Sequence, residues 1–389
     1  MITVVHVITR LELGGAQENT LYTCQHLDRS RFRVALVYGP GGILDDQLEA
    51  MAETTTLVPV PELVREVRPR ADAAAFSALK SVFWRLQADH WQHEHDKSAF
   101  IVHTHSSKAG ILGRTAGKAA EVPTLVHSIH GFGFHEGQHP IKHALFLNAE
   151  RAAGRITDAF IGVSQSNLDE ARRRGIVPYG CRTELIRSGM DLDEVRSAEG
   201  ARRSTREALG FDAEDEVILA ISNFKAQKDP LTLIRAMRML AEKRPRAVLV
   251  VAGDGELRGA VETEIARGQL EGRVRLLGWR RDIPQLLAAS DVVALSSIFE
   301  GLPRAAVLAV AARRPFVGTR VDGTPEIIRD GKNGYLVPSR NPHALSQALA
   351  KALVTRPIDP EDEALIEQWD AQTMVRQQED LYGQLVSTG

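Results

Sequence analysis

Cysteine is scarce in this sequence, and neither sign of charge is in excess. The 389 residues include two cysteines, Cys24 and Cys181, which are too few for a disulfide framework and have no metal-ligand spacing, so we interpret both as small buried thiols. Lysine and arginine (48) nearly balance aspartate and glutamate (50), which leaves a formal net charge of −2. That balance gives no electrostatic reason to expect nucleic acid as a partner.

Long apolar runs are also missing. No window approaches the roughly 18 consecutive apolar residues of a membrane-spanning helix, and residues 1–7 have the pattern of a strand rather than that of a secretory signal. We therefore expect a cytoplasmic protein. The remaining composition, 43% hydrophobic and 25% charged residues, is typical of a globular protein with two or three domains.

Short apolar runs alternate with amphipathic segments, and the alternation restarts near the middle of the chain. In the first half the runs predict strands at residues 4–8, 33–38, 56–60, 100–103, 124–127 and 159–163. In the second half they predict strands at residues 217–221, 247–251, 274–276, 292–295, 315–317 and 334–337. Strands separated by helices form parallel sheets with right-handed crossovers. The sequence therefore predicts an α/β protein with two doubly wound, Rossmann-like domains facing a central cleft.

The domain boundaries follow from the stretches between these patterns. Residues 191–206 are polar and rich in arginine and are interpreted as a linker, which gives domains at 1–188 and 189–362. A final helix over about residues 363–386 follows Pro357 and Pro360. We expect residues 363–389 to pack back on the N-terminal domain.

Two glycine turns follow predicted strands and open helices. Gly14 and Gly15 come after the first strand, and Gly253 with Asp254 follows the strand at 247–251. Glycine lets the backbone approach a ligand closely, and a helix N-terminus attracts phosphate. A tight turn that needs glycine for its own geometry explains each motif about as well. Neither motif has the GxGxxG spacing, which disfavours a dehydrogenase.

The stretch from Ser296 to Pro303 combines features that suit a sugar phosphate. Because Pro303 is suited to an early helix position, free backbone N–H groups are expected to point into the cleft. Glu300, just before them, can accept hydrogen bonds from sugar hydroxyls while these groups meet a phosphate. Upstream, Lys228 can neutralise a diphosphate leaving group, although a lysine taken singly is more often a solvated surface charge.

Eight motifs follow one another along nearly the whole chain. They are GGAQ at 14–17, HTHSSKAGILGR at 103–114, HGF at 130–132, QKDP at 227–230, GDGE at 253–256, LGWRRDIP at 277–284, FEGLP at 299–303 and VDGTPEIIRDGKNGYLVP at 321–338. Taken together, these motifs resemble glycosyltransferase family 4, retaining enzymes of the GT-B fold. The similarity extends to bacterial enzymes that lengthen lipid-linked surface glycans.

The resemblance implies a donor site with roles for its residues. Glu300 would bind donor-sugar hydroxyls, Lys228 would lie on the diphosphate, and His130 would reach the donor sugar near the reacting carbon. It also implies a nucleotide-sugar donor, which we expect to be UDP-linked, and a glycan or polyprenyl-lipid-linked acceptor. The first domain would bind the acceptor and the second the donor, and no cofactor and no metal is expected. The substrate-binding residues implied are Gly14, Gly15, Asn223, Lys225, Gly253, Asp254, Arg281, Ile283, Phe299, Gly301, Leu302, Pro303 and Leu308.

Three positions depart from the family pattern. Leu308 stands where the family has a glutamate that contacts the nucleotide ribose. Asn223 replaces the arginine that accompanies the diphosphate lysine, and Lys225 is a candidate to substitute for it. Residues 313–315 are Arg-Arg-Pro where a small glycine is usual. Leu308 and Asn223 keep open the alternative of a catalytically impaired sugar-nucleotide binder or scaffold. A GT-B nucleotide-sugar epimerase is a separate alternative.

Several polar clusters resemble metal sites without meeting their requirements. His103 and His105 would share one face of a strand, but no third ligand is indicated nearby. The Asp-Leu-Asp sequence at 191–193 is better explained by helix capping. A solvated loop is the interpretation for His90, His93 and His95.

The segment 63–87 mixes basic residues with an apolar stripe at helical spacing. The stripe consists of Phe76, Leu79, Phe83 and Leu86. Most such stripes face the core, which we favour by roughly two to one. The alternative is a peripheral membrane contact that would suit a polyprenyl acceptor.

Overall fold

The computed structural model describes residues 1–12, 14–64, 66–94, 96–134, 139–355, 358 and 365–387. The chain divides into two compact units. Unit 1 consists of Met1–Gly189 with Ala371–Gly389, and unit 2 is Met190–Asp370. Each unit contains one parallel sheet whose strands alternate with helices. The predicted α/β class with two doubly wound sheets is therefore confirmed.

Seven parallel strands form the sheet of unit 1, in the order β3-β2-β1-β4-β5-β6-β7. The strands are β1 (Ile2–Arg10), β2 (Phe32–Gly39), β3 (Thr56–Pro59), β4 (Phe100–His105), β5 (Thr124–Ile129), β6 (Ala159–Gly162) and β7 (Arg182–Leu185). The helices between them are α1 (Gly15–His26), α2 (Pro69–His93), α3 (Ser107–Ala119), α4 (Pro140–Gly154) and α5 (Gln165–Arg173), with 3-10 turns at Ile43–Gln47 and Glu49–Met51.

Apolar cores cover both faces of this sheet. In β1, Val4 and Ile8 belong to one core and Val5 and Val7 to the other, as the period-two alternation of a strand requires. All six residues of β4 and of β5 are buried, which is typical of parallel strands covered on both sides. By the same alternation His6 projects to the face of Val4 and Ile8.

Six parallel strands form the sheet of unit 2, in the order β10-β9-β8-β11-β12-β13. They are β8 (Glu216–Ile221), β9 (Ala247–Ala252), β10 (Val274–Gly278), β11 (Val292–Leu295), β12 (Phe316–Thr319) and β13 (Gly334–Val337). The helices are α6 (Leu192–Ser197), α7 (Arg202–Ala208), α8 (Pro230–Ala241), α9 (Arg258–Arg267), α10 (Ile283–Ala289), α11 (Arg304–Ala311), α12 (Thr324–Ile327) and α13 (Pro342–Thr355), with 3-10 turns at Ala198–Ala201 and Ala226–Lys228.

The linker predicted at 191–206 is wrong, because the segment is helical and part of unit 2. Asp191 caps α6 by accepting a hydrogen bond from Glu194 N at 2.9 Å. Leu192 is buried, and Arg206 donates to Ala289 O at 3.0 Å. Arginine side chains in this segment, which suggested a solvated linker, therefore form hydrogen bonds that attach it to the rest of unit 2.

The C-terminal helix α14 (Ala371–Ser387) belongs to unit 1. Its residues Met374, Val375, Leu381 and Tyr382 enter the core that contains Val4 of β1. A 3-10 turn at Glu367–Trp369 precedes it, and the predicted helix start at 363 lies outside the described residues. Among the described helices, none has the length and apolar character needed to cross a bilayer.

Candidate functional site

The candidate donor loops of unit 2 lie where its strand order reverses. Strand β8 has β9 on one side and β11 on the other, and the chain runs from β8 through β9 to β10 before it returns to β11. Doubly wound sheets bind ligands in the crevice outside such a switch point, which here corresponds to the loops that follow β8 and β11. Lys228 is on the first of these loops and Glu300 on the second.

Lys228 and Glu300 form an ion pair at this crevice, with Lys228 Nζ in contact with Glu300 Oε1. Ser297 Oγ donates a hydrogen bond to the same oxygen at 2.5 Å. The Glu300 side chain is 5% exposed and the Lys228 side chain 19%. Because removing one partner of a buried pair costs about 3–5 kcal/mol, each charge requires the other here. The structure thus brings a cation and an anion together from residues 72 positions apart.

Hydrogen bonds between the two loops hold this pair in place. Ile298 N donates to Gln227 O at 2.8 Å, and Gln227 Nε2 donates to Phe299 O at 2.9 Å. Ser296 Oγ lies 2.9 Å from the carbonyl oxygen of Lys228. The loop that carries the lysine is therefore fixed against the loop that carries the glutamate.

The local sequence explains the turn that follows Lys228. Asp229 has a left-handed backbone, φ 44°, which aspartate adopts more readily than most residues. Its side chain caps α8, since Thr232 Oγ1 donates to Asp229 Oδ2 at 2.7 Å. Pro230 is the first residue of α8, a position for which proline is suited. These features stop the chain abruptly after Lys228 and restart it as a helix.

Residues Glu300 to Pro303 lead directly into α11. Glu300 N donates to Asp322 Oδ2 at 2.5 Å, which ties the loop to the turn that follows β12. Pro303 is the N-cap of α11, and Leu302 is 9% exposed while Gly301 is half-buried. The N-terminus of α11 thus follows the carboxylate, as the sequence predicted, and the first N–H groups of a helix have no intrahelical partner.

The glycine turn after β9 has a purely structural explanation. A side chain at Gly253 would place its Cβ 2.0 Å from Ser222 O, and its φ is 150°, so the backbone here requires glycine. The Asp254 carboxylate accepts from Gly255 N at 2.7 Å and from Arg258 Nη1 at 2.7 Å. Tight packing against the loop after β8 therefore accounts for this motif without a ligand.

The turn after β10 joins the same edge of the sheet. Gly253 N donates to Gly278 O at 2.7 Å, and Arg280 Nε donates to Asp282 Oδ1 at 2.7 Å. Arg281 is exposed, and Ile283 begins α10. The structure therefore places Arg281 and Ile283 beyond the carboxyl end of a strand, as it does Lys228 and Glu300.

The departures from the family pattern lie at half-buried positions. Asn223 and Lys225 are both half-buried, and Asn223 Oδ1 is buried without a hydrogen-bond partner among the described residues. Leu308 and Arg304 are the half-buried residues of α11, whereas the other residues of the helix are buried. Four positions apart, they share the most accessible face of that helix.

The arginine at 313 occupies a position where glycine would be easier. Arg313 has a left-handed backbone, φ 53°, which glycine adopts without a steric penalty. Its neighbour Arg314 donates to Ala288 O at 3.1 Å and contacts Glu199 at 2.9 Å. The arginines at 313 and 314 therefore add contacts within unit 2 that do not involve Lys228 or Glu300.

In unit 1 the predicted site residues follow β1 and β5. Gly14 is the N-cap of α1 with an extended backbone, and Gly15 is the first residue of that helix. His130 comes directly after β5 and is half-buried. Its Nε2 lies 3.2 Å from Nδ1 of the buried His105. His130 is thus held by a hydrogen bond to the imidazole of His105.

Three histidines of unit 1 converge, which the sequence analysis missed. Ring nitrogens of His6, His103 and His105 all lie within 4.8 Å of one another, so His6 is the third potential metal ligand that the sequence did not indicate. His103 already has Tyr382 Oη at 2.6 Å and Ser128 Oγ at 2.8 Å as partners. Three histidines can bind zinc, but a metal would have to replace these hydrogen bonds.

Burial controls the protonation of this histidine group. Burial, reinforced by Arg29, lowers the pKa of His6 to about 3. Burial, reinforced by the neighbouring histidines, also lowers the pKa values of His103 and His105 well below the usual value. Near neutral pH these rings are therefore neutral, and each carries one N–H.

The solvated loop predicted for His90, His93 and His95 is wrong for His90 and His93, because both lie on α2, although His93 is exposed. His90 lies on α2, is buried and makes a 2.8 Å hydrogen bond with Thr3 Oγ1. His93 is the last residue of α2, and His95 lies outside the described residues. Helical periodicity extends further than the polar composition suggested.

The apolar stripe of α2 faces the core. Leu79 and Phe83 are buried, and Phe76 and Leu86 pack against the same cluster. The favoured interpretation is therefore confirmed for the stripe. The exposed large apolar residues of α2 are Trp84, at 51%, and Trp91, at 43%.

Comparisons with known proteins agree with this architecture. The family described as Glycosyltransferase Family 4 matches residues 13–194, and the family described as Glycosyl transferases group 1 matches residues 201–369. HepE of Anabaena, solved in complex with UDP and glucose, superposes with a TM-score of 0.81 at 20% identity, over 99% of this chain and 100% of that chain. This structural likeness shows the fold.

Two relatives extend the comparison to enzymes. UDP-Gal:alpha-D-GlcNAc-diphosphoundecaprenol alpha-1,3-galactosyltransferase of Escherichia coli is 28% identical over 353 residues, which are 90% of this chain and 87% of that protein. D-inositol 3-phosphate glycosyltransferase of Mycobacterium bovis is 31% identical over 261 residues, 61% of this chain and 50% of that protein. The fold and these matches define a glycosyltransferase with the GT-B fold. The chain thus contains a match to Glycosyltransferase Family 4 followed by a match to Glycosyl transferases group 1.

Proposed function

We propose that this glycosyltransferase moves a hexose from a UDP-sugar to a lipid-linked glycan acceptor with retention of the anomeric configuration. One observation carries the proposal: Lys228 and Glu300 meet at the strand-order reversal of unit 2. A diphosphate needs a cation and a sugar needs an acceptor for its hydroxyls, and this pair supplies both within one contact.

When the donor binds, Lys228 and Glu300 would separate: Lys228 would contact the diphosphate of the donor and Glu300 its sugar. The diphosphate is a stronger partner for Lys228 than a single carboxylate, since it presents several charged oxygens. Glu300, relieved of the ammonium, would accept hydrogen bonds from the sugar hydroxyls. The N–H groups of Gly301 and Leu302, which precede the N-cap of α11, would add to phosphate binding.

The transfer itself needs no protein base in this proposal. The bond between the anomeric carbon and the leaving phosphate oxygen breaks while the acceptor oxygen bonds to that carbon on the same face. The acceptor proton passes to the leaving phosphate, whose negative charge Lys228 stabilises. His130 would donate a hydrogen bond to the donor sugar. Catalysis then depends on positioning and on leaving-group charge, and we propose that it uses neither cofactor nor metal.

The acceptor proposal draws on the relative from Escherichia coli, whose name specifies UDP-Gal and a diphosphoundecaprenol-linked sugar. We assign acceptor binding to unit 1 and donor binding to unit 2. A polyprenyl acceptor would call for peripheral contact with the inner face of the membrane. Within residues 63–87, Val67 at 55% and Trp84 at 51% exposure offer apolar side chains for it, and Lys80 lies over the Trp84 ring at 4.3 Å. Sedimentation with anionic vesicles, lost in Trp84→Ala, tests this contact.

A donor panel tests the proposal without knowledge of the acceptor. UDP-, GDP- and ADP-sugars would be compared by thermal shift and by slow donor hydrolysis, and the UDP-sugars are expected to raise the melting temperature. The proposal fails if no sugar nucleotide gives a shift or turnover. A raised melting temperature without donor hydrolysis, and without sugar transfer to any acceptor tested, would instead support the catalytically impaired binder.

A further inference from the structure

A chain of three imidazoles runs from the interior of unit 1 to His130. His6 Nδ1 lies 3.0 Å from His105 Nε2, and His105 Nδ1 lies 3.2 Å from His130 Nε2. His6 is 0% exposed and His105 3%. The far end of the chain is therefore enclosed, whereas the near end is the half-buried histidine that follows β5.

Such a chain has a direction. A neutral imidazole carries one N–H and one acceptor nitrogen, and burial keeps His6 and His105 neutral near pH 7. Each nitrogen-to-nitrogen contact needs one donor and one acceptor. The N–H groups therefore all point either from His6 towards His130 or from His130 towards His6.

The buried end selects between these directions. His6 Nε2 is buried and has no hydrogen-bond partner among the described residues. If the N–H groups pointed towards His6, this nitrogen would be a buried N–H without an acceptor, which is rarer in proteins than an acceptor without a donor. If they point towards His130, His6 Nε2 keeps a lone pair and no donor is left without a partner. The second arrangement costs less.

We propose that His105, held by His6, is a positioning residue that donates its Nδ1–H to His130 Nε2 and so places the proton of neutral His130 on Nδ1. His130 then acts through Nδ1 as a hydrogen-bond donor, and its Nε2 is occupied as an acceptor and does not serve as a base. Under the proposed function, on which this consequence rests, the Nδ1–H group is the one that meets an oxygen of the donor sugar or of its phosphate.

The tautomer can be observed directly and without any substrate. With 15N-labelled histidine, long-range 1H–15N spectra distinguish the protonated from the unprotonated ring nitrogen, and His130→Gln identifies the His130 signals. We expect His130 to carry its proton on Nδ1 in the wild-type protein. A proton on Nε2, or a charged His130 at pH 7.5, would overturn the proposal.

Two substitutions at His105 separate positioning from simple packing. His105→Asn keeps an N–H close to the position of Nδ1 and is expected to keep the tautomer, whereas His105→Leu removes the donor and should give His130 a mixture of tautomers. His90→Leu is the matched control, because His90 is a buried histidine of the same unit that lies outside this chain. An unchanged tautomer in His105→Leu, or an equal change in the His90 control, contradicts the assignment.

Activity provides the second readout. In His105→Leu we expect kcat to fall roughly fivefold to tenfold, the worth of one neutral hydrogen bond, with KM for the UDP-sugar nearly unchanged and with recovery in His105→Asn. Equal loss in both variants would mean that His105 only fills space. If the proposed function itself is wrong, no variant transfers sugar, yet the spectra still decide the tautomer.

Discussion

The two units share a strand order but place their titratable side chains differently. In unit 2, β9 and β11 contain only apolar residues, and the charged pair Lys228 and Glu300 stands in the loops beyond the strands. In unit 1, histidines lie within β1, β4 and β5, where they are buried. Two sheets of similar strand order thus differ: unit 2 has charged side chains in the loops beyond its strands, and unit 1 has neutral, hydrogen-bonded imidazoles within its strands.

This difference suggests a division of chemical work. Loop charges remain able to exchange one partner for another, which a substrate with a diphosphate requires. Protonation of buried neutral imidazoles is energetically unfavourable, but these rings fix the orientation and the proton position of His130. The following predictions test each half of this contrast.

The largest effect is expected at the carboxylate of unit 2. Glu300→Gln keeps the shape but removes the charge that balances Lys228 and that we propose binds the sugar, so we expect transfer to fall by about 10²–10³-fold, as for the loss of one preorganised polar group. Steady-state transfer, with circular dichroism as a check on folding, measures it. Glu264→Gln, a carboxylate of unit 2 paired with Arg235 at 3.1 Å, is the control. Wild-type rates in Glu300→Gln would refute the site.

The next effect concerns the cation. Lys228→Met removes the partner proposed for the diphosphate, and a charge-assisted hydrogen bond is worth about 1.5–3 kcal/mol, so UDP-sugar affinity should drop by roughly tenfold to a hundredfold. Titration calorimetry measures the affinity, and the exposed Lys243→Met is the control. Equal affinity for Lys228→Met and the control would remove the diphosphate role.

Lowering the pH should destabilise unit 1 more than unit 2. The pKa of His6 is about 3 in the folded protein against 6.5 as the ordinary value, so the unfolded chain takes up a proton as the pH falls below 6.5. Folded unit 1 therefore loses stability between pH 6.5 and 3, by about 2 kcal/mol at pH 5 from His6 alone. The pKa values of His103, His105 and His127 are lowered in the same direction.

Hydrogen exchange measures this loss for each unit separately. Amides of unit 1 should lose protection at a higher pH than amides of unit 2, and His6→Asn should flatten the pH dependence of unit 1. If both units lose protection together, the buried histidines do not distinguish them.

The smallest effect concerns the departure at 308. Because Leu308 lies half-buried on α11, Leu308→Glu can present a carboxylate to a ribose without entering the core, and UDP affinity should rise by up to about tenfold. Leu308→Ala, which adds no acceptor, is the control. A rise in both variants would point to steric relief, and no rise in either would mean that the ribose is bound elsewhere.

Much of the fold and of the unit 2 loops could be predicted from the sequence. All six strands predicted in each half are present, because buried parallel strands are short apolar runs between helices. Pro303 indicated the start of α11 for a steric reason that acts within a few residues. The contact of Lys228 with Glu300 was not predictable from spacing, since it depends on β8 and β11 lying side by side.

The features that the sequence did not reveal depend on distant partners. Strand β7, Arg182–Leu185, has no apolar run and pairs only along β6. Residues 191–206 look like a linker until Asp291 and the carbonyl groups near it give Arg202 and Arg206 their partners. His6 meets His103 because β1 and β4 are neighbours in register. The usual 3-2-1-4 order of such sheets was the signal that could have found this pair.

The measurement closest to the central claim is hydrogen exchange with and without a UDP-sugar, resolved by peptide. The account predicts slower exchange at residues 222–229 and 296–303 in unit 2, and a clear reduction of this protection in Lys228→Met at the same ligand concentration. Binding that leaves both loops unprotected, or protection unaffected by Lys228→Met, would contradict a donor site built on Lys228 and Glu300.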